Sequence, residues 1–171
     1  KLVAAKQPRA LLSAYLTMPR TDTALVFVGD GEEKPALVAA ATDARDVHFL
    51  PFANQTEMPA RYLLADIFAL PSSGVYETWG LAVNEAMHMG VPCLVSNRVG
   101  CQQDLVIEGE TGWVFRATEP ASLVSALATA LAGARTDREG FRRRVRERIA
   151  GYTYATAAQG LLRAVSHATA R

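Results

Sequence analysis

The sequence predicts an α/β fold: a doubly wound, Rossmann-like parallel sheet with helices on both faces. Short apolar runs alternate with segments of helical periodicity along the first 115 residues, and this alternation is typical of βαβ units. The runs are apolar at nearly every position, as at 24–28, which indicates strands that are covered on both faces. The 171 residues are enough to bury a core and suit a single domain, 1–171.

The predicted elements follow in a regular order, and proline bounds many of them. Strands are predicted at 1–3 (the end of a strand), 24–28, 47–50, 66–70, 92–96 and 113–115. Helices are predicted at 8–18, 35–42, from 56, 81–90, 104–107, 119–133, 137–149 and 152–168. Pro8 suits a first helical turn, Pro19 and Pro92 bar helices from continuing, and Gly133 is expected to end one. Tyr62 falls in the buried stripe of the helix that begins at 56.

Composition and charge exclude several classes of protein. Eighteen basic and seventeen acidic residues leave a net charge of +1, so nucleic acid is not expected as a partner. No apolar run approaches the ~20 residues that cross a bilayer, and no signal peptide is visible. The two cysteines, Cys93 and Cys101, are too few for a disulfide scaffold and are expected to be inert. His48, His88 and His167 are scattered, so no metal site is expected.

The chain is organised around the stretch at 71–92, where a polar loop leads into an almost entirely apolar helical segment. Glu77 lies in the loop and Glu85 in the middle of the helix. A carboxylate in a buried helix is costly unless it is paired, so Glu85 either finds a partner or reaches the surface, or it points into a cleft. Open α/β sheets bind ligands at the carboxyl ends of their strands. With Glu77 and the helix-start Gly80 beside it, we favour the cleft.

The stretch also resembles a known family. Its frame, Pro-Ser…Glu-x-Trp-Gly-Leu-x-x-x-Glu-Ala-Met-x-x-Gly-x-Pro, is similar to the donor-site signature of retaining glycosyltransferases of the GT-B fold, family 4 above all. Trp79 stands where that family usually has phenylalanine. The resemblance implies the carboxyl-terminal half of such an enzyme, with six strands in the order 3-2-1-4-5-6. It also implies that the closing helix crosses back to an amino-terminal domain. The chain begins with what reads as the end of a strand, so we expect this domain to be part of a longer protein.

The resemblance assigns roles residue by residue. Lys6 and Lys1 match the cations of the family motif Gly-Arg-Leu-x-x-x-x-Lys and would hold a diphosphate, although by frequency alone they are surface lysines. Glu77 would bond the hydroxyls of the donor sugar, and Glu85 those of the ribose. The remaining donor-binding positions are expected at Thr78, Trp79, Gly80, Leu81, Gly29, Gly31 and Phe52. Turn geometry alone also explains the two glycines, and Phe52 suits the core equally well.

The implied reaction is glycosyl transfer with retention from a nucleotide-diphospho-sugar, a UDP or GDP sugar. Lys6 and Glu77 are the candidate catalytic residues, and no metal or other cofactor is expected. The implied partners are the donor, the protein's own amino-terminal domain and an acceptor sugar, lipid or polysaccharide. The implied setting is cell-envelope polysaccharide biosynthesis in the cytoplasm or at the inner face of the membrane.

Three alternatives compete with this interpretation. Another GT-B enzyme, such as a sugar-nucleotide epimerase, fits the motif less well. A nicotinamide dehydrogenase would need a Gly-x-Gly-x-x-Gly after a strand, which is absent from the sequence. A nucleotide-binding module without catalysis of its own remains open. The arginine-rich helix at 137–149 suits a solvated face better than a nucleic-acid or lipid contact.

Overall fold

The computed structural model describes residues 1–74 and 76–169. Val75, in the loop of the central motif, lies outside the described residues, as do Ala170 and Arg171. The described residues form these strands: β1 (Leu25–Val28), β2 (Val47–Leu50), β3 (Phe68–Leu70), β4 (Cys93–Ser96) and β5 (Gly112–Phe115). All pairs are parallel, with β1 next to β2 and a second sheet in the order β3-β4-β5. The predicted Rossmann-like α/β architecture is confirmed.

Helices connect the strands and cover both faces of the sheets. They are α1 (Pro8–Thr17), α2 (Lys34–Ala40), α3 (Met58–Leu63), α4 (Leu81–His88), α5 (Gln102–Leu105), α6 (Pro120–Thr136), α7 (Arg138–Ile149) and α8 (Tyr154–Thr169). Proline occupies the first or second position of α1, α2, α3 and α6, where its missing N–H costs no hydrogen bond. The predicted helices are therefore found with shifts of a few residues at their ends.

The prediction of six strands is wrong for the described residues, which contain five. Residues 1–3 form no strand, and a short 3-10 turn follows at Ala4–Lys6. The N–H of Leu2 donates to Asp30 O and its carbonyl accepts from Glu33 N. Because both groups are bonded to the turn after β1, Leu2 has none left for a ladder. The expected order 3-2-1-4-5-6 counted residues 1–3 as its first strand. With that strand absent, β2-β1 corresponds to the part 3-2 of the expected order and β3-β4-β5 to the part 4-5-6.

Strand β4 shows why the apolar runs are continuous. All four of its residues are buried, and neighbouring side chains point to opposite faces. Leu94 belongs to a core cluster that includes Trp113 and residues of α1 and α6. Cys93 and Val95 belong to a second cluster with residues of α4 and α7. The sheet β3-β4-β5 therefore carries a helical layer on each face, and the loops that follow its strands lie outside these two layers.

Gly133 does not end a helix as predicted, because α6 continues to Thr136. A Cβ at Gly133 would lie 2.9 Å from Cζ2 of Trp113 and 3.5 Å from the ring of Phe141. The glycine is thus explained by close packing of α6 on the buried Trp113. Small residues needed for packing and glycines that terminate helices look the same in a sequence.

The last helix differs from all the others in its burial. None of the described residues of α8 is buried, and its apolar face carries Leu161, Leu162 and Val165 in solvent. No helix in the described ranges is both long and apolar enough to cross a bilayer.

Candidate functional site

The loops at the carboxyl ends of the strands of both sheets are joined to one another by main-chain hydrogen bonds. The N–H of Ser73, after β3, donates to Ala5 O at 3.2 Å. After β4, Gly100 N donates to Glu77 O at 3.0 Å and Cys101 N to the carbonyl of residue 79 at 2.8 Å. Together with the bonds of Leu2 to the turn after β1, these contacts bring the amino-terminal segment and the motif loop to one place. This is the edge at which open parallel sheets bind ligands.

Lys6 and Glu77, which are 71 residues apart, meet at this edge. Lys6 Nζ lies 3.1 Å from Glu77 Oε2, and Ser72 Oγ donates to the same oxygen at 3.0 Å. The side chains of Lys6 and Glu77 are 36% and 20% exposed, respectively, whereas Ser72 is buried. The Ser72 carbonyl in turn accepts a hydrogen bond from Ser96 Oγ. A partly exposed ion pair is therefore anchored to the buried end of β4.

The ion pair faces a cavity of about 200 Å³. Its lining consists of Val3, Ala5, Lys6, Ser72, Gly74, Tyr76 and Glu77. Tyr76 is exposed at the rim. A cavity with one cation, one carboxylate and a mainly apolar wall can orient a small polar ligand that carries both an anionic group and hydroxyls.

Of the charged residues predicted for the site, Lys6 and Glu77 are thus in direct contact. Lys1 precedes Leu2, which is bonded to the turn after β1, and its part in the site stays a prediction. Ser72 was not identified as a site residue from the sequence, although it is the serine of the Pro-Ser pair in the motif.

The start of α4 is built by two glycines that let loops approach closely. Gly80 has φ of 98°, in the left-handed region, and a Cβ there would lie 2.8 Å from Val99 Cγ1. At Gly100, a Cβ would lie 1.8 Å from Thr78 O. Thr78 and Leu81 are exposed on either side of this turn. The first N–H groups of α4 have no partners within the helix and favour an anion.

The side chain of Trp79 packs against the second core cluster. Its Nε1 donates to Asn84 Oδ1 at 2.8 Å, and its ring lies 6.3 Å from that of Tyr152. The Trp79 side chain is thus engaged by neighbouring residues, and its part in donor binding stays a prediction.

Glu85 lies on the exposed face of α4, so the interpretation that it is buried within the helix is wrong. The buried face consists of Val83, Ala86 and Met87, and Glu85 stands on the other side. Its Oε2 accepts a hydrogen bond of 2.8 Å from the hydroxyl of Tyr62. Burial, together with the hydrogen bond and the charge of Glu85, raises the pKa of the Tyr62 phenol, so Tyr62 remains a donor. The sequence predicts burial of Tyr62 but not this bond.

The turn after β1 lies beside the amino-terminal segment, and Phe52 follows β2. Gly29 has φ of 112°, and a Cβ at Gly31 would lie 2.1 Å from Leu2 O. Both glycines are thus required by local backbone geometry. Phe52 is 69% exposed, so the core position considered for it is wrong, and its contact with a base stays a prediction.

The two cysteine thiols are buried and unreactive. Burial raises the pKa of the Cys101 thiol to about 11 and also raises that of the buried Cys93. Both thiols are therefore protonated at neutral pH, as expected for inert cysteines. Across residues 1–74 and 76–169, no group of three or more His, Cys, Asp or Glu side chains is placed to hold a metal ion.

Comparisons with known proteins agree with this architecture. Among curated relatives, the GDP-mannose-dependent alpha-(1-6)-phosphatidylinositol monomannoside mannosyltransferase of Mycolicibacterium smegmatis is 33% identical over 145 residues, 79% of this chain and 38% of the relative. The D-inositol 3-phosphate glycosyltransferase of Nocardia farcinica is 34% identical over 147 residues, 82% of this chain and 31% of the relative. The chain thus spans about a third of the length of these relatives.

The fold is also found in solved structures. HepE from Anabaena, crystallised with UDP-glucose, superposes with a TM-score of 0.78 at 22% identity, over 98% of this chain and 47% of that one. The sequence profile of the family described as glycosyl transferases group 1 matches residues 1–148, which include the ion pair, the start of α4 and all five described strands. This chain therefore belongs to the glycosyl transferases group 1 family.

Proposed function

We propose that this chain is the donor-binding domain of a retaining GT-B glycosyltransferase of the family 4 type. The observation that carries the proposal is the Lys6–Glu77 ion pair, which faces a cavity beside the start of α4. A nucleotide-diphospho-sugar presents a diphosphate and, next to it, sugar hydroxyls. A cation, free N–H donors and a carboxylate in one place match these groups.

In this proposal each part of the site takes one part of the donor. Lys6, Lys1 and the N–H groups at Gly80 and Leu81 hold the diphosphate, and they stabilise its charge as it leaves. Glu77 accepts hydrogen bonds from the sugar hydroxyls. Thr78 and the backbone of Trp79 complete that turn.

The nucleoside would lie along the remaining elements of the same edge. Glu85 accepts bonds from the two ribose hydroxyls, which suits a carboxylate with two acceptor oxygens. Its exposure on α4 leaves it accessible to a ligand. Gly29 and Gly31 let the backbone approach the nucleotide, and the exposed Phe52 is available to stack on a base.

The diphosphate is the donor feature that the similar proteins share. One relative is named as dependent on GDP-mannose, and HepE was crystallised with UDP-glucose. We therefore propose a UDP or GDP sugar as donor, bound without a metal or other cofactor. Transfer would require an amino-terminal domain of the same protein that holds an acceptor sugar, lipid or polysaccharide. The proposed setting is cell-envelope polysaccharide synthesis in the cytoplasm or at the inner face of the membrane.

Calorimetric titration tests the proposal directly. The chain is titrated with UDP, GDP and ADP and with the glucose and mannose derivatives of each, in the presence of EDTA. We expect the nucleotides of one base to bind at micromolar to millimolar concentration, and we expect the chelator to leave their affinity unchanged. Absence of binding by every nucleotide would overturn the proposed function, whereas binding that EDTA abolishes would overturn only its metal-free form.

A further inference from the structure

The Lys6–Glu77 ion pair joins the two groups that the proposed function assigns to different parts of the donor. Lys6 is assigned to the diphosphate and Glu77 to the sugar, yet Nζ and Oε2 are only 3.1 Å apart. A ligand that uses Lys6 therefore meets the charge of Glu77 as well. The consequence differs between a sugar nucleotide and the free nucleoside diphosphate.

We infer that Glu77 is a specificity-determining residue that disfavours the free nucleoside diphosphate relative to the sugar nucleotide. This inference rests on the proposed function. In the sugar nucleotide the terminal phosphate is esterified to the sugar, whereas in the free diphosphate it is held by the anhydride bond alone and loses a second proton with a pKa of about 6. The product thus brings additional negative charge to a cation that already has a carboxylate beside it.

Distance makes this repulsion unavoidable at the terminal phosphate. A phosphate oxygen bonded to Lys6 at the ~2.8 Å of a charge-assisted hydrogen bond lies at most about 6 Å from Glu77 Oε2, given the 3.1 Å of the ion pair. This separation is shorter than the Debye length of about 8 Å at physiological salt. Solvent and salt therefore weaken the repulsion but do not remove it.

The anchoring of Glu77 prevents it from turning away. Lys6 and Ser72 both bond to Oε2, and Ser72 is buried with its carbonyl bonded to Ser96 Oγ. Both of these bonds engage the same oxygen, so Oε1 is the oxygen offered to the sugar hydroxyls. With a sugar present, Glu77 gains hydrogen bonds that offset the repulsion; with the free diphosphate it gains none.

The same residue would therefore favour binding of the substrate and release of the product. Glycosyl transfer breaks the bond between the anomeric carbon of the sugar and the terminal phosphate oxygen, and the electron pair of that bond stays on the oxygen. The anomeric carbon bonds instead to a hydroxyl oxygen of the acceptor, whose proton passes to the departing phosphate or to solvent. The negative charge that develops there faces Glu77 as soon as the sugar has left. Lys6 stabilises this charge, and Glu77 limits how tightly the product is then held.

The test compares affinities for a free nucleoside diphosphate and its sugar derivative in matched variants. The nucleotides are UDP and UDP-glucose, or GDP and GDP-mannose, whichever pair binds the wild-type chain. The variants are Glu77→Gln, which removes the charge, and Glu77→Asp, which keeps it. Asp66→Asn is the control, because Asp66 pairs with Arg138 at the amino-terminal end of β3, at the opposite edge of the sheet.

We expect Glu77→Gln to shift the ratio of the two affinities toward the free diphosphate by roughly fivefold to tenfold, with tighter binding of the diphosphate itself. Its diphosphate affinity should also fall more steeply with salt than that of the wild type, because attraction to Lys6 is no longer opposed. Asp66→Asn should keep the wild-type affinity for both ligands. Glu77→Asp keeps the negative charge but shortens the side chain, so it should not tighten binding of the free diphosphate.

An unchanged or weakened diphosphate affinity in Glu77→Gln would overturn the inference while leaving the proposed function intact. So would equal losses for both ligands, since that result describes a general binding residue. If the wild type binds neither member of any nucleotide pair, the proposed function itself fails, and the inference fails with it.

Discussion

The two glutamates of the central motif are held in different ways. Glu77 is partly buried in a loop, paired with the charge of Lys6 and anchored by Ser72. Glu85 stands on the exposed face of α4 and is held by one neutral hydroxyl, that of Tyr62. Glu77 is therefore suited to respond to the charge of a ligand, whereas Glu85 is suited to accept hydrogen bonds from a ligand's hydroxyl groups. The eight-residue spacing of Glu77 and Glu85 in the motif therefore places two acids in different surroundings.

The largest effect is expected from removing the cation. Lys6→Ala should weaken binding of a nucleoside diphosphate about tenfold to a hundredfold, because a hydrogen bond to a charged group is worth about 1.5–3 kcal/mol. It should leave the affinity for the bare nucleoside unchanged. Calorimetry with both ligands measures the difference, and Arg138→Ala serves as the control because it removes an ion-pair cation at the opposite edge of the sheet. Equal losses for nucleoside and diphosphate would place Lys6 away from the phosphates.

A smaller and less selective effect is expected at the second glutamate. Glu85→Gln keeps the shape but removes the charge from two acceptor bonds, so we expect roughly a tenfold loss of affinity. The loss should be the same for nucleoside, diphosphate and sugar nucleotide, since all three carry the ribose. Glu147→Gln, a change of an exposed acid on α7, is the matched control. A loss confined to the sugar nucleotide would show that the assigned roles of Glu77 and Glu85 are reversed.

A third substitution asks how much the neutral anchor of Glu85 matters. Tyr62→Phe removes the hydroxyl that donates to Oε2 and keeps the ring that packs edge-on against Phe68. A net hydrogen bond of about 0.5–1.5 kcal/mol predicts a loss of nucleotide affinity of about threefold to tenfold. Combining Tyr62→Phe with Glu85→Gln should add little to Glu85→Gln alone, because Tyr62 acts through Glu85. Fully additive losses in this double-mutant cycle would contradict that view.

The sequence predicts which residues come together in the candidate site better than it predicts their contacts. Parallel strands place their following loops at one edge, and the motif register assigns Lys6 and Glu77 to the same ligand. These two facts predict that two residues 71 positions apart lie together, and the structure joins them in an ion pair. That they bind one ligand stays a prediction. Neither fact predicts that they pair with each other, since that depends on side-chain reach and on the anchor at Ser72.

The errors have a common physical cause. The high apolar content of α4 suggests burial on several sides, but only the sector of Val83, Ala86 and Met87 is covered, while Leu81 is 69% exposed. Composition reports the average character of a helix, not which sector its neighbours cover. Similarly, residues 1–3 have the composition of a strand, but the backbone groups of Leu2 are bonded to the turn after β1. Which partner a backbone N–H or C=O group bonds to depends on the tertiary structure.

An ion pair far from the motif provides the smallest expected effect on binding and a separate test of stability. Asp137 caps α7 by accepting from Gly140 N at 3.1 Å, and Arg144 Nη1 donates to it at 2.9 Å. The hydrogen bond from Arg144 is the main cause that lowers the pKa of Asp137 below its usual value of 3.8. A carboxyl whose pKa is lowered by folding stabilises the fold above the pKa of the unfolded chain, and this contribution is lost as the pH falls through the folded pKa. Asp137→Asn should therefore lower the urea midpoint at pH 6, and the difference from the wild type should shrink from about pH 4 downward, the range in which aspartates titrate.

The nucleotide affinity of Asp137→Asn should not change. Asp43→Asn, in the exposed turn after α2, is the control for losing a surface charge, and a difference between Asp137→Asn and the wild type that stays constant down to pH 2 would contradict the linkage to Arg144.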